Sequence, residues 1–123
     1  GDSSAVQHQL KNVQQVQATG GAFAASLADG SVVTWGVRDY GGDSSAVQHQ
    51  LRNVQQVQAT VGAFAAVLAD GSVVTWGNPN LGGNSSAVQH QLKNVQQVQA
   101  TGGAFAAVLA DGSVITWGNP NYG

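Results

Sequence analysis

The chain has 123 residues, of which only 8% are charged, and its formal net charge is −2. Such a weak charge offers no electrostatic surface for nucleic acid or for an anionic membrane, so we expect neither as a partner. The absence of Cys excludes disulfides and thiolate metal sites, and no apolar run approaches the roughly 20 residues that cross a bilayer.

The whole chain repeats with a period of 41 residues, in the units 1–41, 42–82 and 83–123. The second and third units differ at only five aligned positions. A fixed period of this size is typical of architectures in which neighbouring units bury each other's apolar faces. Neither terminal unit has the atypical sequence of a cap. Two alternatives therefore stay open, an excerpt of a longer array and a consensus-like engineered chain.

The first predicted strand lies at residues 5–10 (Ala-Val-Gln-His-Gln-Leu), where apolar and polar side chains alternate, although Gln and Ala also suit a helix. After a turn at Lys11-Asn12, residues 13–19 form a second predicted strand. The three-residue spacing between Val13 and Val16 interrupts simple alternation, so we expect a β-bulge or a bend where this strand begins.

Two hairpins follow in each unit. Gly20-Gly21 indicates the first, because Gly adopts positive φ without steric cost. The next strand, at residues 22–28, is apolar on both faces, and we expect both to be covered. Asp29-Gly30 then predicts a two-residue turn of type I′ before the β-branched strand at residues 31–35.

Large apolar side chains recur at the same places in each unit and are expected to pack between sheets. These predicted assembly residues are Phe23, Leu27, Val33, Trp35, Phe64, Leu68, Val74, Trp76, Phe105, Leu109, Ile115 and Trp117. The predicted hairpin turns are formed by Asp29, Gly30, Asp70, Gly71, Asp111 and Gly112.

Four antiparallel strands in a unit of this length predict an all-β chain of β-propeller blades, one blade per unit. The core of each unit also resembles the RCC1 repeat of chromatin-bound exchange factors and HERC-type ubiquitin ligases. In the second unit this resemblance is carried by Val54, Val57, Ala59, Gly62, Leu68, Asp70, Gly71, Val73, Trp76 and Gly77. The resemblance implies a β-propeller. It carries over no functional residue, since the charged loops on which the family's functions depend have no counterpart here.

Candidate catalytic and metal-binding residues are few. His8, His49 and His90 would have to converge from different blades to bind a metal, and we interpret them as strand-edge residues beside Gln. The Asp residues of the Asp-Gly pairs are interpreted as turn formers rather than as a carboxylate ring. No nucleophile, phosphate-binding loop or pair of carboxylates in distinct environments is recognisable. We expect no enzyme and no cofactor.

The functional prediction concerns assembly. Three blades cannot close a ring, so the two outer blades would each expose an apolar face, and such faces mark interaction sites. Near-identical units should stack between copies as they do within one chain. We expect the chain to bind itself, with a homotrimer of nine blades favoured over a homodimer of six. The alternative is a protein-interaction module of a larger RCC1-like or HERC-like protein, with its variable loop at residues 37–40.

Overall fold

The computed structural model describes residues 10–122 and shows an all-β chain of three antiparallel sheets. Each 41-residue unit contributes one three-stranded sheet, here called a blade. The strands are β1 (Val13–Ala18), β2 (Ala22–Leu27), β3 (Val32–Gly36), β4 (Val54–Ala59), β5 (Ala63–Leu68), β6 (Val73–Gly77), β7 (Val95–Ala100), β8 (Ala104–Leu109) and β9 (Val114–Gly118). None of the helices in residues 10–122 has the length and hydropathy of a membrane span.

The strands of each blade are paired in chain order, so that the second strand is central and the third forms one edge. In blade 1, Val16 lies opposite Ala25, and Phe23 lies opposite Trp35. The predicted bulge is confirmed, because the register shifts between Val13 and Gln15, and the same shift recurs in the other two blades. Every blade therefore has the same arrangement of side chains on its two faces.

The Asp-Gly hairpin is real, but its predicted type I′ geometry is wrong. That type needs positive φ at both central residues, whereas only Gly30 adopts it, at φ +85°. The Gly30 amide donates to the Leu27 carbonyl, and the Leu27 amide donates to the Ser31 carbonyl, both at 2.9 Å. This is a three-residue loop that ends in a left-handed Gly. The Asp29 carboxylate accepts a hydrogen bond from the Ser31 amide at 3.0 Å, and this bond stabilises the loop at residues 28–30.

The fourth strand predicted for each unit is also wrong where the structure describes it. The segments that correspond to residues 5–10 contain short 3₁₀ helices, Gln48–Gln50 in the second unit and Gln89–Gln91 in the third. Residues 5–9 themselves lie outside the described part. The reason is that the segment meets the blade edge through the side chain of Gln48, which donates to the Val32 carbonyl at 3.0 Å, and not through a backbone ladder.

Each blade has two faces of different character. The large face carries the second Val of the first strand, the Phe, and the Trp, which in blade 2 are Val57, Phe64 and Trp76. The small face carries two Ala of the central strand and one Val of the third, which in blade 1 are Ala22, Ala24 and Val32. The hydrophobic core lies between blades, where a small face meets a large face.

Candidate assembly interface

The interface between blades 1 and 2 buries the small face of the first against the large face of the second. Phe64, Val57 and Trp76 are buried against Ala22 and its neighbours on blade 1. Alanine on one side leaves room for the two aromatic rings on the other. This complementarity of small and large side chains lets the two sheets pack closely against each other.

The interface between blades 2 and 3 repeats the first one. Its small face consists of Ala63, Ala65, Val67 and Val73, and its large face contains Val98, Phe105 and Trp117. Because both interfaces use equivalent residues, the chain presents the same contact twice. The expectation that the central strand is covered on both sides is met in blade 2, where residues 63–67 are all buried.

Aromatic pairs anchor each large face. Phe64 and Trp76 are stacked with their ring centroids 5.4 Å apart, and the equivalent pairs in blades 1 and 3 have the same separation. The indole Nε1 of Trp76 donates to the Gly41 carbonyl at 3.2 Å, and that of Trp117 donates to the Gly82 carbonyl at 3.1 Å. Each Trp is therefore joined to the end of the preceding unit, as a buried indole N–H requires.

Hydrogen bonds also cross between blades at the strand ends. The Val54 amide donates to the Gly30 carbonyl, and the Val95 amide donates to the Gly71 carbonyl, both at 2.9 Å. The side chain of Gln56 forms a further bridge, because it donates to the Val98 carbonyl and accepts from the Val98 amide, each at 3.2 Å. These polar contacts fix the register of one blade on the next.

A connecting segment, residues 42–51 in the second unit and 83–92 in the third, covers the edge strand of the preceding blade. At the edge of blade 1, the hydroxyls of Thr34 and Ser44 are 2.8 Å apart, and Gln48 Nε2 donates to Ser44 Oγ at 2.8 Å. Leu51, at the end of the segment, is buried between blades 1 and 2. The third unit repeats this arrangement with Thr75, Ser85, Gln89 and Leu92.

The outer faces of blades 1 and 3 are more exposed than the faces that meet between blades. On the large face of blade 1, Val16 is 51% exposed, whereas its equivalents Val57 and Val98 are 1% and 0% exposed. On the small face of blade 3, Val114 is 56% exposed, whereas Val32 and Val73 are both 2% exposed. These two surfaces consist of the residue types that are buried inside the chain.

The predicted assembly residues follow the same gradient. Phe64, Val74, Trp76, Phe105 and Trp117 are buried between blades. Half-buried positions are Phe23, Leu27, Val33 and Trp35 in blade 1, Leu68 in blade 2, and Leu109 and Ile115 in blade 3.

The Asp residues of the hairpins bind their own turns. Asp70 Oδ1 accepts the Ser72 hydroxyl at 2.6 Å and the Ser72 amide at 3.0 Å. These two hydrogen bonds hold the pKa of Asp70 below its ordinary value, and the hydroxyl has the larger effect. Asp29 and Asp111 accept the same bonds from Ser31 and Ser113, and their pKa values are lowered for the same reason. The three carboxylates thus have equivalent structural roles.

The His residues differ from the prediction in their position. His49 and His90 are exposed on the 3₁₀ helices, not at strand edges, and His8 lies outside the described residues. Within residues 10–122 no group of three or more His, Asp or similar ligands is placed to hold a metal. The variable loop of the first unit forms a 3₁₀ helix, Arg38–Tyr40, whose Tyr ring packs over Gly20 and Gly21.

Comparisons with models of known protein families and with curated proteins gave no match. Solved structures do match. Yeast RCC1 (Prp20) bound to Kap60 has a TM-score of 0.65 at 20% identity, over 86% of this chain and 29% of that chain. Human WBSCR16 has a TM-score of 0.65 at 23% identity, over 90% of this chain and 34% of that chain. The chain has the RCC1-like β-propeller fold. It spans about a third or less of these relatives.

A designed protein is also similar to this RCC1-like chain. The computationally designed Ika4 has a TM-score of 0.52 at 17% identity, over 87% of this chain and 66% of that chain. The yeast structures describe RCC1 in complex with Kap60 and the binding of Prp20p to Gsp1p and histones, which are properties of those proteins.

Sequence reasoning missed three contacts that hold the RCC1-like blades together. These are the hydrogen bond of Gln48 to the edge strand, the burial of Leu51 between blades 1 and 2, and the bridge formed by Gln56 between blades 2 and 3. One signal for the first two was present, because Val47 and Leu51 have the four-residue spacing of a helical turn. The Gln56 bridge has no signal in the sequence, since nothing there distinguishes Gln56 from Gln55 and Gln58 on the same strand.

Proposed function

We propose that the 123-residue chain is a structural, non-catalytic, self-assembling part of a β-propeller. The outer large face of blade 1 receives the outer small face of blade 3 from a second copy. Such a head-to-tail interface uses different surfaces on the two partners and forms a closed ring when its rotation permits. The favoured product is a homotrimer with nine blades, and a homodimer with six is the runner-up.

The observation that carries this proposal is the repetition of one interface within the chain. Two internal copies already join a small face to a large face with equivalent residues. The outer faces carry the same residues at the same positions, with Val16 and Val114 exposed where their equivalents are buried. Burying one Val side chain contributes about 1.5–3 kcal/mol, so a full face offers a strong apolar driving force.

The supporting polar contacts are also available at the outer faces. Gln97 is exposed in blade 3, and its equivalent Gln56 bridges blade 2 to blade 3, whereas Gln15 forms no such bridge between blades 1 and 2. Gly112 has nothing within 4 Å of a Cβ placed on it, whereas Gly30 and Gly71 abut the following blade. A second copy would supply the missing neighbour to both positions.

The test is native mass spectrometry of the chain, whose subunit mass is 12.5 kDa, combined with one matched pair of variants. Val16→Lys places a charge on the exposed large face and should weaken association by about tenfold or more. Gln14→Lys places the same charge on the same strand at a position that is exposed in every unit, and should leave assembly unchanged.

A trimer or dimer that is lost only with Val16→Lys supports the proposal, and the subunit count decides between nine and six blades. A chain that stays monomeric at all concentrations overturns it. In that case the alternative function, an interaction module that presents the Arg38–Tyr40 loop to another protein, gains support. An assembly that tolerates Val16→Lys also overturns it, because the outer large face would then not be the contact.

A further inference from the structure

Within residues 10–122, no segment covers the outer edge of β9 as the connecting segments cover β3 and β6. β3 and β6 are covered by the connecting segments 42–51 and 83–92, and Val32 and Val73 are buried there. In blade 3, Val114 and Thr116 are both exposed. An uncovered edge strand with β-branched residues is a ready surface for pairing with another chain.

The repeat identifies the segment that fits this edge. Ser3 of the first unit aligns with Ser44 and Ser85 under the 41-residue period. In the same way Gln48 and Gln89 correspond to Gln7. The first unit contains the same Gly-Asp-Ser-Ser-Ala-Val-Gln-His-Gln-Leu sequence as the segment that covers β3.

We propose that residues 1–9 of a second copy cover the β9 edge of its neighbour. This inference rests on the proposed function, since it needs the head-to-tail arrangement of blades. Gln7 of the second copy donates to the Val114 carbonyl, and Ser3 pairs with the Thr116 hydroxyl. Each chain thereby covers blade 3 of another chain, both at its outer small face and along its β9 edge.

The hydroxyl pair offers a direct chemical test. Thr34 and Ser44 place their hydroxyls 2.8 Å apart, and Thr75 and Ser85 place theirs 2.9 Å apart. Thiols that replace two hydroxyls in contact lie near each other, which favours formation of a disulfide between them. The chain contains no Cys, so two engineered thiols report only on each other. Thr75→Cys/Ser85→Cys serves as the positive control, because its disulfide must form within one chain.

The test variant is Ser3→Cys/Thr116→Cys, oxidised mildly and separated on a denaturing, non-reducing gel. We expect covalent species of two or three chains. The matched control is Ser4→Cys/Thr116→Cys, whose added thiol is one residue away, at a position exposed in the other two units as Ser45 and Ser86. It should remain largely a single chain.

Native mass spectrometry of the reduced variants separates the two proposals. An assembled Ser3→Cys/Thr116→Cys chain that gives no more covalent product than the Ser4→Cys control overturns the edge contact and leaves the proposed function intact. A disulfide formed within one chain also overturns the contact between copies. A chain that is monomeric when reduced overturns both.

Discussion

The indole of Trp76 donates a hydrogen bond to the carbonyl of Gly41, 3.2 Å away, and thereby joins the large face of blade 2 to the end of the first unit. Gly41 has φ +100°, and a Cβ placed on it would lie 2.5 Å from the ring of Phe64. The Gly, the Phe and the Trp therefore form one contact, in which the missing side chain makes room for the ring and the carbonyl accepts the indole.

Replacing Trp76 with Phe should lower the free energy of unfolding by about 2–4 kcal/mol. The change leaves a buried carbonyl without its donor and opens a small cavity. Trp35→Phe is the matched control, since Trp35 is only half-buried and should lose less than about 1 kcal/mol. Chemical denaturation in the Val16→Lys background, where we expect a monomer, measures both. Equal losses at the two positions would contradict the role assigned to the hydrogen bond.

Two glycines with nearly the same backbone conformation should respond differently to alanine. Gly71 and Gly112 have φ +84° and +88°, but a Cβ on Gly71 would lie 2.9 Å from the Asn94 Cα, whereas Gly112 has open space. Ala at either position costs roughly 1–2 kcal/mol for the left-handed conformation. Gly71→Ala should add about 1–3 kcal/mol for the overlap with blade 3.

The measurement is again denaturation in the Val16→Lys chain. In the assembled wild-type background, the difference in destabilisation between Gly71→Ala and Gly112→Ala should become smaller, because a second copy would then lie against Gly112. A difference that stays constant in both backgrounds would count against that neighbour.

The edge contact of Gln89 should stabilise blade 2 measurably. Its amide donates to the Val73 carbonyl at 3.0 Å, and its Oε1 accepts from Ser85 Oγ at 2.7 Å. Gln89→Ala should cost about 1–2 kcal/mol and speed amide exchange along β6. Gln91→Ala is the control, because Gln91 lies on the same 3₁₀ helix and its side chain, within the described residues, bonds only to His90, at 3.4 Å. If both variants exchange alike, the segment does not hold the edge through Gln89.

Acid should destabilise the hairpins through their Asp residues. Hydrogen bonds from the Ser72 hydroxyl, which has the larger effect, and from the Ser72 amide lower the pKa of Asp70 in the folded chain below the ordinary 3.8. The folded chain therefore binds the ionised carboxylate more favourably than the unfolded chain does, and ionisation of Asp70 stabilises the fold. This contribution is complete above pH 3.8 and disappears as the pH falls through the lowered folded value. Ser72→Ala removes the strongest donor and should raise the pKa of Asp70 toward its ordinary value, as read from the carboxyl chemical shift by NMR.

The control for this titration is Ser86→Ala. Ser86 donates its amide to Asn84 Oδ1 at 3.0 Å, in a turn of similar form that has no ionisable group. The pKa of Asp70 should not change in this variant. An Asp70 pKa that is unaffected by Ser72→Ala would contradict the assigned cause.

Local pattern was enough to predict the main elements. The alternation around Phe64, the Gly pairs and the Asp-Gly pairs predicted three strands and two hairpins per unit, and the spacing of Val13 and Val16 predicted the bulge. The first hairpin is present, but the positive φ expected at Gly20-Gly21 is wrong, because neither residue adopts it. These features depend on residues that are close in the chain, where backbone preference and side-chain period act directly. The period of 41 residues predicted the blade architecture in the same way.

Other features depended on contacts between units. Residues 46–51 have an alternation that suits a strand, yet they form a 3₁₀ turn because Gln48 binds the edge of the preceding blade and Leu51 is buried between blades. The turn type also differed, because the Asp29 carboxylate binds Ser31 and only Gly30 has positive φ.

The sequence by itself therefore determined the repeat, its strands and their two apolar faces, since each follows from short-range periodicity. Only the tertiary structure decided which face meets which, that Ala22 and Ala24 lie against the aromatic side of the next blade, and that Trp76 reaches Gly41. The physical reason is that complementarity of shape and hydrogen bonding arises between residues about 35 to 42 positions apart, and no local pattern in one unit encodes the geometry of its neighbour.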